Sequence, residues 1–131
     1  MRINIPLEPV AKGRPKFGRG HAYTPEKTAT FEEEVRWYLK NAILSSTGRG
    51  YKNLIKKPTP VKVSITFYLT QPKRSKYDYP IGKPDLSNLV KACEDSMIGI
   101  LLEDDSQIVS LTAEKKWANE GSIALEVQRD D

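Results

Sequence analysis

At 131 residues, with 38% apolar and 29% charged side chains, the chain suits one domain that buries a core without metal or disulfide staples. Its lone cysteine, Cys93, excludes an internal disulfide and a cysteine-built zinc centre, and no apolar run approaches the ~20 residues of a membrane span. The net charge of +4 hides a division: residues 1–84 carry 17 Lys and Arg against 6 Asp and Glu, and residues 85–131 carry 4 against 11.

The opening alternates Ile3, Ile5 and Leu7 with Arg2 and Asn4 and predicts a strand that ends near Pro6 and Pro9. No signal peptide is read there, and the expected setting is the cytoplasm. "AKGRPKFGRGHAY" follows, with Lys12, Arg14, Lys16 and Arg19 and no acid, and its glycines and proline predict an irregular basic loop. Thr24, Pro25 and Glu26 form a helix start: a hydroxyl cap, a proline at the first helical position and an acid in the first turn. Phe31, Val35, Tyr38 and Ala42 continue at helical spacing to about Leu44, and "SSTGRGYKN" ends the helix.

Val61, Val63, Ile65, Phe67 and Leu69 alternate with polar residues in the clearest strand pattern of the chain. The polar loop after it interleaves Lys73, Arg74, Lys76 and Lys83 with Tyr77 and Tyr79. Cations contact phosphates and aromatic rings stack on bases, so this composition suits nucleic acid. Residues 85–101 read as an amphipathic helix with Leu86, Leu89, Val90, Cys93, Met97 and Ile100 on one side. Val109, Leu111 and Ala113 begin a strand, "ANEG" turns the chain, and Ile123, Leu125 and Val127 return as a β-hairpin partner. The order β-α-β-α-β-β defines a single α+β domain over residues 1–131, with two helices on a small mixed or antiparallel sheet.

A basic surface grips phosphates, and a compact acidic cluster within it holds a divalent cation against them. The acids of the second helix have a plain structural reading too: Asp85 as an N-cap, and Lys91 with Asp95 as an i,i+4 pair. Asp85 and Asp95 are about 15 Å apart along a helix axis, too far to share one ion. Glu103, Asp104 and Asp105 follow closely, and a loop returning beside the helix can bring one or two of them to Asp85. His21, the sole histidine, sits in the basic loop and carries no general-base assignment.

"KPDLSNLVKACEDSMIGILLEDDSQIV" resembles the signature of RusA-type Holliday junction resolvases, roughly P-D-x-D-N-x-x-K, an Asp four residues on, and a later D-D-x-Q. The matching residues are Pro84, Asp85, Asn88, Lys91, Asp95, Asp104, Asp105 and Gln107. The early Arg-Pro loop and Tyr-Thr-Pro helix start resemble the family as well. The resemblance implies a homodimeric, Mg²⁺-dependent endonuclease, with Mn²⁺ as a substitute, that nicks four-way DNA junctions in symmetric pairs during recombination and repair. It implies that Asp85 and Asp105 are catalytic metal ligands, that Asp104 is a ligand or close neighbour, and that Lys91 is a catalytic or phosphate-binding cation. The roles of Asn88 and Asp95 stay open. Ser87 stands where the family pattern has its second aspartate, which keeps a second reading in view: a junction-binding protein with weak or no nuclease activity. A third reading is a basic α+β interaction domain with capped helices. The DNA-contacting residues expected are Lys12, Arg14, Lys16, Arg19, Lys73, Arg74 and Lys76, with Phe17, Tyr77 or Tyr79 stacking on bases.

Overall fold

The period-two pattern of residues 61–70 dictates the centre of the molecule. In the computed structural model, which describes residues 1–18, 20–23, 25–48 and 54–131 (of Tyr23 the backbone alone), Val61, Val63, Ile65, Phe67 and Leu69 are all buried on one face. Lys62 and Ser64 face out on the other. The elements are β1 (Arg2–Ile5), β2 (Lys16–Gly18), β3 (His21–Tyr23), α1 (Glu26–Thr47), β4 (Val61–Thr70), α2 (Leu86–Met97), a single 3₁₀ turn (Asp105–Gln107), β5 (Ile108–Ala118) and β6 (Ser122–Arg129).

Four strands form one mixed sheet in the order β1-β6-β4-β5, and β2 with β3 forms a separate antiparallel ribbon. Strand β4 pairs antiparallel with β6 and parallel with β5. The unit β4-α2-β5 is therefore a parallel crossover, which needs an intervening segment long enough to hold a helix. Helices α1 and α2 pack on each other and against the apolar face of the sheet, joining Phe31, Val35, Leu39 and Ile43 to Leu89, Cys93, Met97, Ile123 and Leu125 in one core. Each such aliphatic side chain, fully withdrawn from water, contributes about 1.5–3 kcal/mol. None of the described helices is long and apolar enough to cross a membrane.

The structure corrects the sequence expectations at four places. Strands β5 and β6 follow one another across a tight turn but are not a paired hairpin, because β4 lies between them. Turn residues fix where a chain reverses, not which strand fills the gap, and α2 lays β5 against the far edge of β4. The basic segment is not wholly irregular: Lys16–Gly18 and His21–Tyr23 pair as a short ribbon. Pro25 occupies the N-cap of α1 rather than its first turn, while Thr24, Arg19 and residues 49–53 of the expected turn lie outside the described residues. Helix α2 stops at Met97, short of the expected residue 101. Gly99 adopts a left-handed φ of 87°, and Ile100 to Leu102 fold back through amides that donate to Met97 O. Helix α1 ends one turn beyond Leu44 on a left-handed cap of its own, where Gly48 at φ 68° donates its N–H to Leu44 O.

Candidate active site

Helix α2 packs on the sheet and on α1 through its apolar stripe, and near its C-terminal end Asp95 meets Lys12 of the basic loop and Arg36 of α1. An open cleft of about 810 Å³ lies there, lined among others by Lys12, Glu32, Arg36, Asp95, Asp104 and Asp105. Helix α1 supplies Glu32 and Arg36, α2 supplies Asp95, and the turn before β5 supplies the aspartate pair.

Lys12 organises the cleft. Its ammonium donates to Glu32 Oε1 at 3.0 Å and Oε2 at 3.2 Å, and forms an ion pair with Asp95 Oδ2 at 3.1 Å. Its backbone N–H donates to Asn88 O at 2.8 Å, which ties the basic loop to α2. Glu32 is buried, so an unpaired charge there would be costly. Burial pulls the Lys12 pKa down, but the hydrogen bonds and charges of Glu32 and Asp95 outweigh it and hold the ammonium above its ordinary 10.5. Lys12, expected among the solvent-facing DNA contacts, is thus turned inward onto two carboxylates. Lys91 also pairs with Asp95, at 3.5 Å across one helical turn, and Arg36 Nη2 donates to Asp95 O at 2.8 Å.

The aspartate pair sits in a capped turn. Asp104 Oδ2 accepts from the Ser106 N–H at 3.3 Å and from the Ser106 hydroxyl. These bonds, aided by Lys57, hold its carboxyl below the usual range. Asp105 is exposed, and its charge reaches Glu94: burial first, then Asp105, pushes the Glu94 carboxyl up, with Asp95 adding to the shift and Lys91 opposing it. Acid crowding of this kind draws cations.

Asp85 lies elsewhere. It is the N-cap residue of α2, without a side-chain cap bond, and both of its oxygens accept from Lys83 Nζ at 3.0 Å. At 1.5 Å rise per residue it is about 15 Å along the axis from Asp95, and it does not line the cleft. The loop after α2 does begin a neighbouring strand, but it returns the aspartate pair to the Asp95 end, since the β5 start is level with the β4 start, Ile108 beside Val61. Ser87 and Asn88 are exposed on the first turn of α2, with Ser87 on an apolar groove beside Leu86, Val90, Leu111 and Ala113.

Magnesium takes hard oxygen donors and keeps much of its water shell. The cleft carboxylates Glu32, Glu33, Asp95, Asp104 and Asp105 have the right donor chemistry. Among the described residues, however, no three His, Cys, Asp or Glu side chains are grouped to enclose an ion. The fit is to a hydrated cation completed by a substrate, not to a closed cage.

Arg14, Lys16, Lys73, Arg74 and Lys76 are exposed, as are Phe17, Tyr77 and Tyr79. The Tyr77 carbonyl accepts from Trp117 Nε1 at 3.0 Å. Three site-shaping residues escaped the sequence reading. Glu32 was one acid in a run of three, distinguished only by following Phe31 on the buried side of α1. Lys115 occupies a position on β5 between Ala113 and Trp117 on the helix-facing side, and its ammonium donates to Gly82 O and Pro84 O, both at 2.9 Å, directly ahead of Asp85. Gln107 belonged to the quoted pattern without an assigned task.

Comparison with known proteins decides the family, because the model of endodeoxyribonuclease RusA matches residues 6–128. The chain belongs to the RusA endodeoxyribonuclease family. Similar sequences include the uncharacterized protein YqaN of Bacillus subtilis strain 168, 27% identical over 98% of this chain and 95% of that protein. The crossover junction endodeoxyribonuclease rusA of Lactococcus phage r1t is 36% identical over 58% of this chain and 60% of its own length. Within this RusA-family chain, the matched span holds both the aspartate pair and the basic loops.

Proposed function

We propose that the protein is a Mg²⁺-dependent endonuclease that resolves four-way DNA junctions by paired symmetric nicks, acting as a homodimer in recombination and repair. The observation that carries this reading is the capped Asp104–Asp105 turn on the wall of an open cleft, shared with Asp95 and set in a chain of the RusA family. Asp104 and Asp105 would hold the ion, and Mn²⁺ would substitute for it. Asp85, paired with Lys83 at the opposite end of α2 and outside the cleft, would not share that ion. A divalent ion bound to such groups neutralises charge on a phosphodiester during hydrolysis.

The chain's own groups would do the rest. Lys91, exposed one turn from Asp95, would steady a phosphate oxygen. Arg14, Lys16, Arg19, Lys73, Arg74 and Lys76 would follow the backbone of the arms, and Phe17, Tyr77 and Tyr79 would stack on bases at an opened crossover. Two nicks related by a two-fold axis call for two such centres, which a C₂ dimer supplies.

Two observations favour a second reading, a junction-binding protein with weak or no nuclease activity. Ser87 replaces an aspartate, and the described residues hold no grouped triple of acids. A synthetic four-way junction and a linear duplex separate the two readings when incubated with Mg²⁺, Mn²⁺ or chelator. Paired nicks in the junction alone, abolished by chelator, are expected. Tight junction binding without nicks in either metal would favour the second reading.

A further inference from the structure

The backbone of the aspartate turn is not held by secondary structure alone. Gln107, only 5% exposed, inserts its amide between this turn and the segment that leads into β4. Its Oε1 accepts from Glu103 N at 2.9 Å and Asp104 N at 3.0 Å. Its Nε2 donates to Ile55 O at 3.1 Å and Thr59 O at 3.0 Å. A side-chain amide has two acceptor sites and two donor hydrogens, so every one is in use.

No other side chain reproduces this pattern. Glutamate has the acceptors but no donors, leucine has neither, and asparagine is one methylene short. The Leu54 and Ile55 amides donate to Ile100 O and Leu101 O, both at 2.9 Å, and so hold the chain just ahead of the turn. The links to the turn itself, besides Gln107, are the exposed Lys57 N–H on Glu103 Oε2 at 3.0 Å and the Lys57–Asp104 ion pair at 3.6 Å. The buried link fixes the N–H of Asp104 itself and leaves its carboxylate, with that of Asp105, facing the cleft.

We infer that Gln107 is a positioning residue for cleavage: by clamping the Asp104–Asp105 turn to the segment before β4, it sets where the two carboxylates stand. The inference rests on the proposed nuclease reading, but the clamp itself has a readout that needs neither metal nor DNA.

Two variants separate its halves. Gln107→Glu keeps the acceptor for the Glu103 and Asp104 amides while setting an oxygen against the Ile55 and Thr59 carbonyls; Gln107→Leu removes all four bonds. Amide hydrogen exchange is followed in the free protein, and junction affinity and single-turnover cleavage at saturating protein are measured in Mg²⁺. In the wild type the Glu103 and Asp104 amides should exchange more slowly than the Ser106 amide, and in Gln107→Leu that protection should disappear. Cleavage should fall by ~10- to 100-fold in each folded variant, the range seen when a group orienting a ligand is lost, while junction affinity stays within about twofold because the basic loops are untouched. If Gln107→Leu does not fold, Gln107→Glu carries the cleavage test. Cleavage at the wild-type rate in either folded variant, a loss that merely tracks junction affinity, or wild-type Glu103 and Asp104 amides as unprotected as Ser106 would overturn the inference. A wild-type protein that cuts no junction defeats the nuclease reading instead, and the exchange result still decides the clamp.

Discussion

Replacing Lys12 by Met tests how the cleft is held together. The substitution keeps a linear apolar stem and removes an ammonium that makes two hydrogen bonds to Glu32 and one ion pair to Asp95. The Glu32 side chain is 7% exposed and would be left charged without a partner, whereas Asp95, 26% exposed, would keep Lys91. Breaking a buried pair costs about 3–5 kcal/mol. Because one of the two acids keeps a partner, the low end applies, on the order of 3 kcal/mol, or roughly a 10 °C drop in Tm for a domain of this size. Urea and thermal unfolding measure it, and Glu32→Gln in the Lys12→Met background should recover about 2 kcal/mol of coupling. The pH dependence has a definite sign. A lysine whose folded pKa lies above 10.5 contributes its linkage in full below that value and loses it as pH climbs through the folded pKa. The difference between wild type and Lys12→Met should therefore be flat from neutral to mildly alkaline pH and shrink only at higher pH. A Lys12→Met protein within about 1 kcal/mol of wild type would refute the reasoning and place the network among screened surface pairs.

Cys93 is fully buried with its thiol pushed up to about 12 by burial and by Glu94, so a thiol reagent at pH 8 should label it only in denaturant; rapid labelling of the native protein contradicts the packing of α2. Glu94→Gln removes a half-buried acid crowded by Asp105 and Asp95. Because its folded pKa is raised, the charged form costs stability above that pKa, so the variant should melt slightly higher at neutral pH and equally at pH 3, where the acid is protonated in both states. Neutralising Lys73, Arg74 and Lys76 together should lower the slope of log affinity against log salt by about 2.7 if each touches one phosphate; an unchanged slope removes that loop from the DNA contact. Lys115→Met should loosen the loop ahead of Asp85, read as faster exchange of the Asp85 and Leu86 amides, and exchange equal to wild type would show the two carbonyl bonds to be dispensable.

Much of the fold was legible because its strongest signals are local. Alternation marked β4, the spacing of Phe31 and Val35 marked α1, and the stripe from Leu89 to Met97 marked α2. What stayed hidden was long-range. Nothing in residues 108–129 says that β4, dozens of residues earlier, inserts between β5 and β6, since pairing is chosen by the helix that carries β5 across the sheet. The helical wheel ran past Gly99, whose left-handed φ follows the end of α2, because Ile100 is buried in the same core.

The site divides in the same way. The acidic pattern marked Asp104 and Asp105, and helical geometry correctly kept Asp85 and Asp95 apart. Which of the two meets the aspartate pair depends on where β5 starts, and register put Asp95 in the cleft. Lys12 looked like every other cation of its loop, because its inward turn depends on Glu32 and Asp95, which belong to other elements. Gln107 became informative only when its amide was seen to meet carbonyls from residues 55 and 59.

The most direct test of the account is cleavage by Asp105→Asn, a substitution that preserves shape and removes the charge at the cleft. Wild type and variant should bind a four-way junction equally, and in Mg²⁺ the wild type should release paired nicked products while the variant should not. An Asp105→Asn protein that cuts the junction as fast as wild type would contradict the assignment of the aspartate turn as the reactive centre.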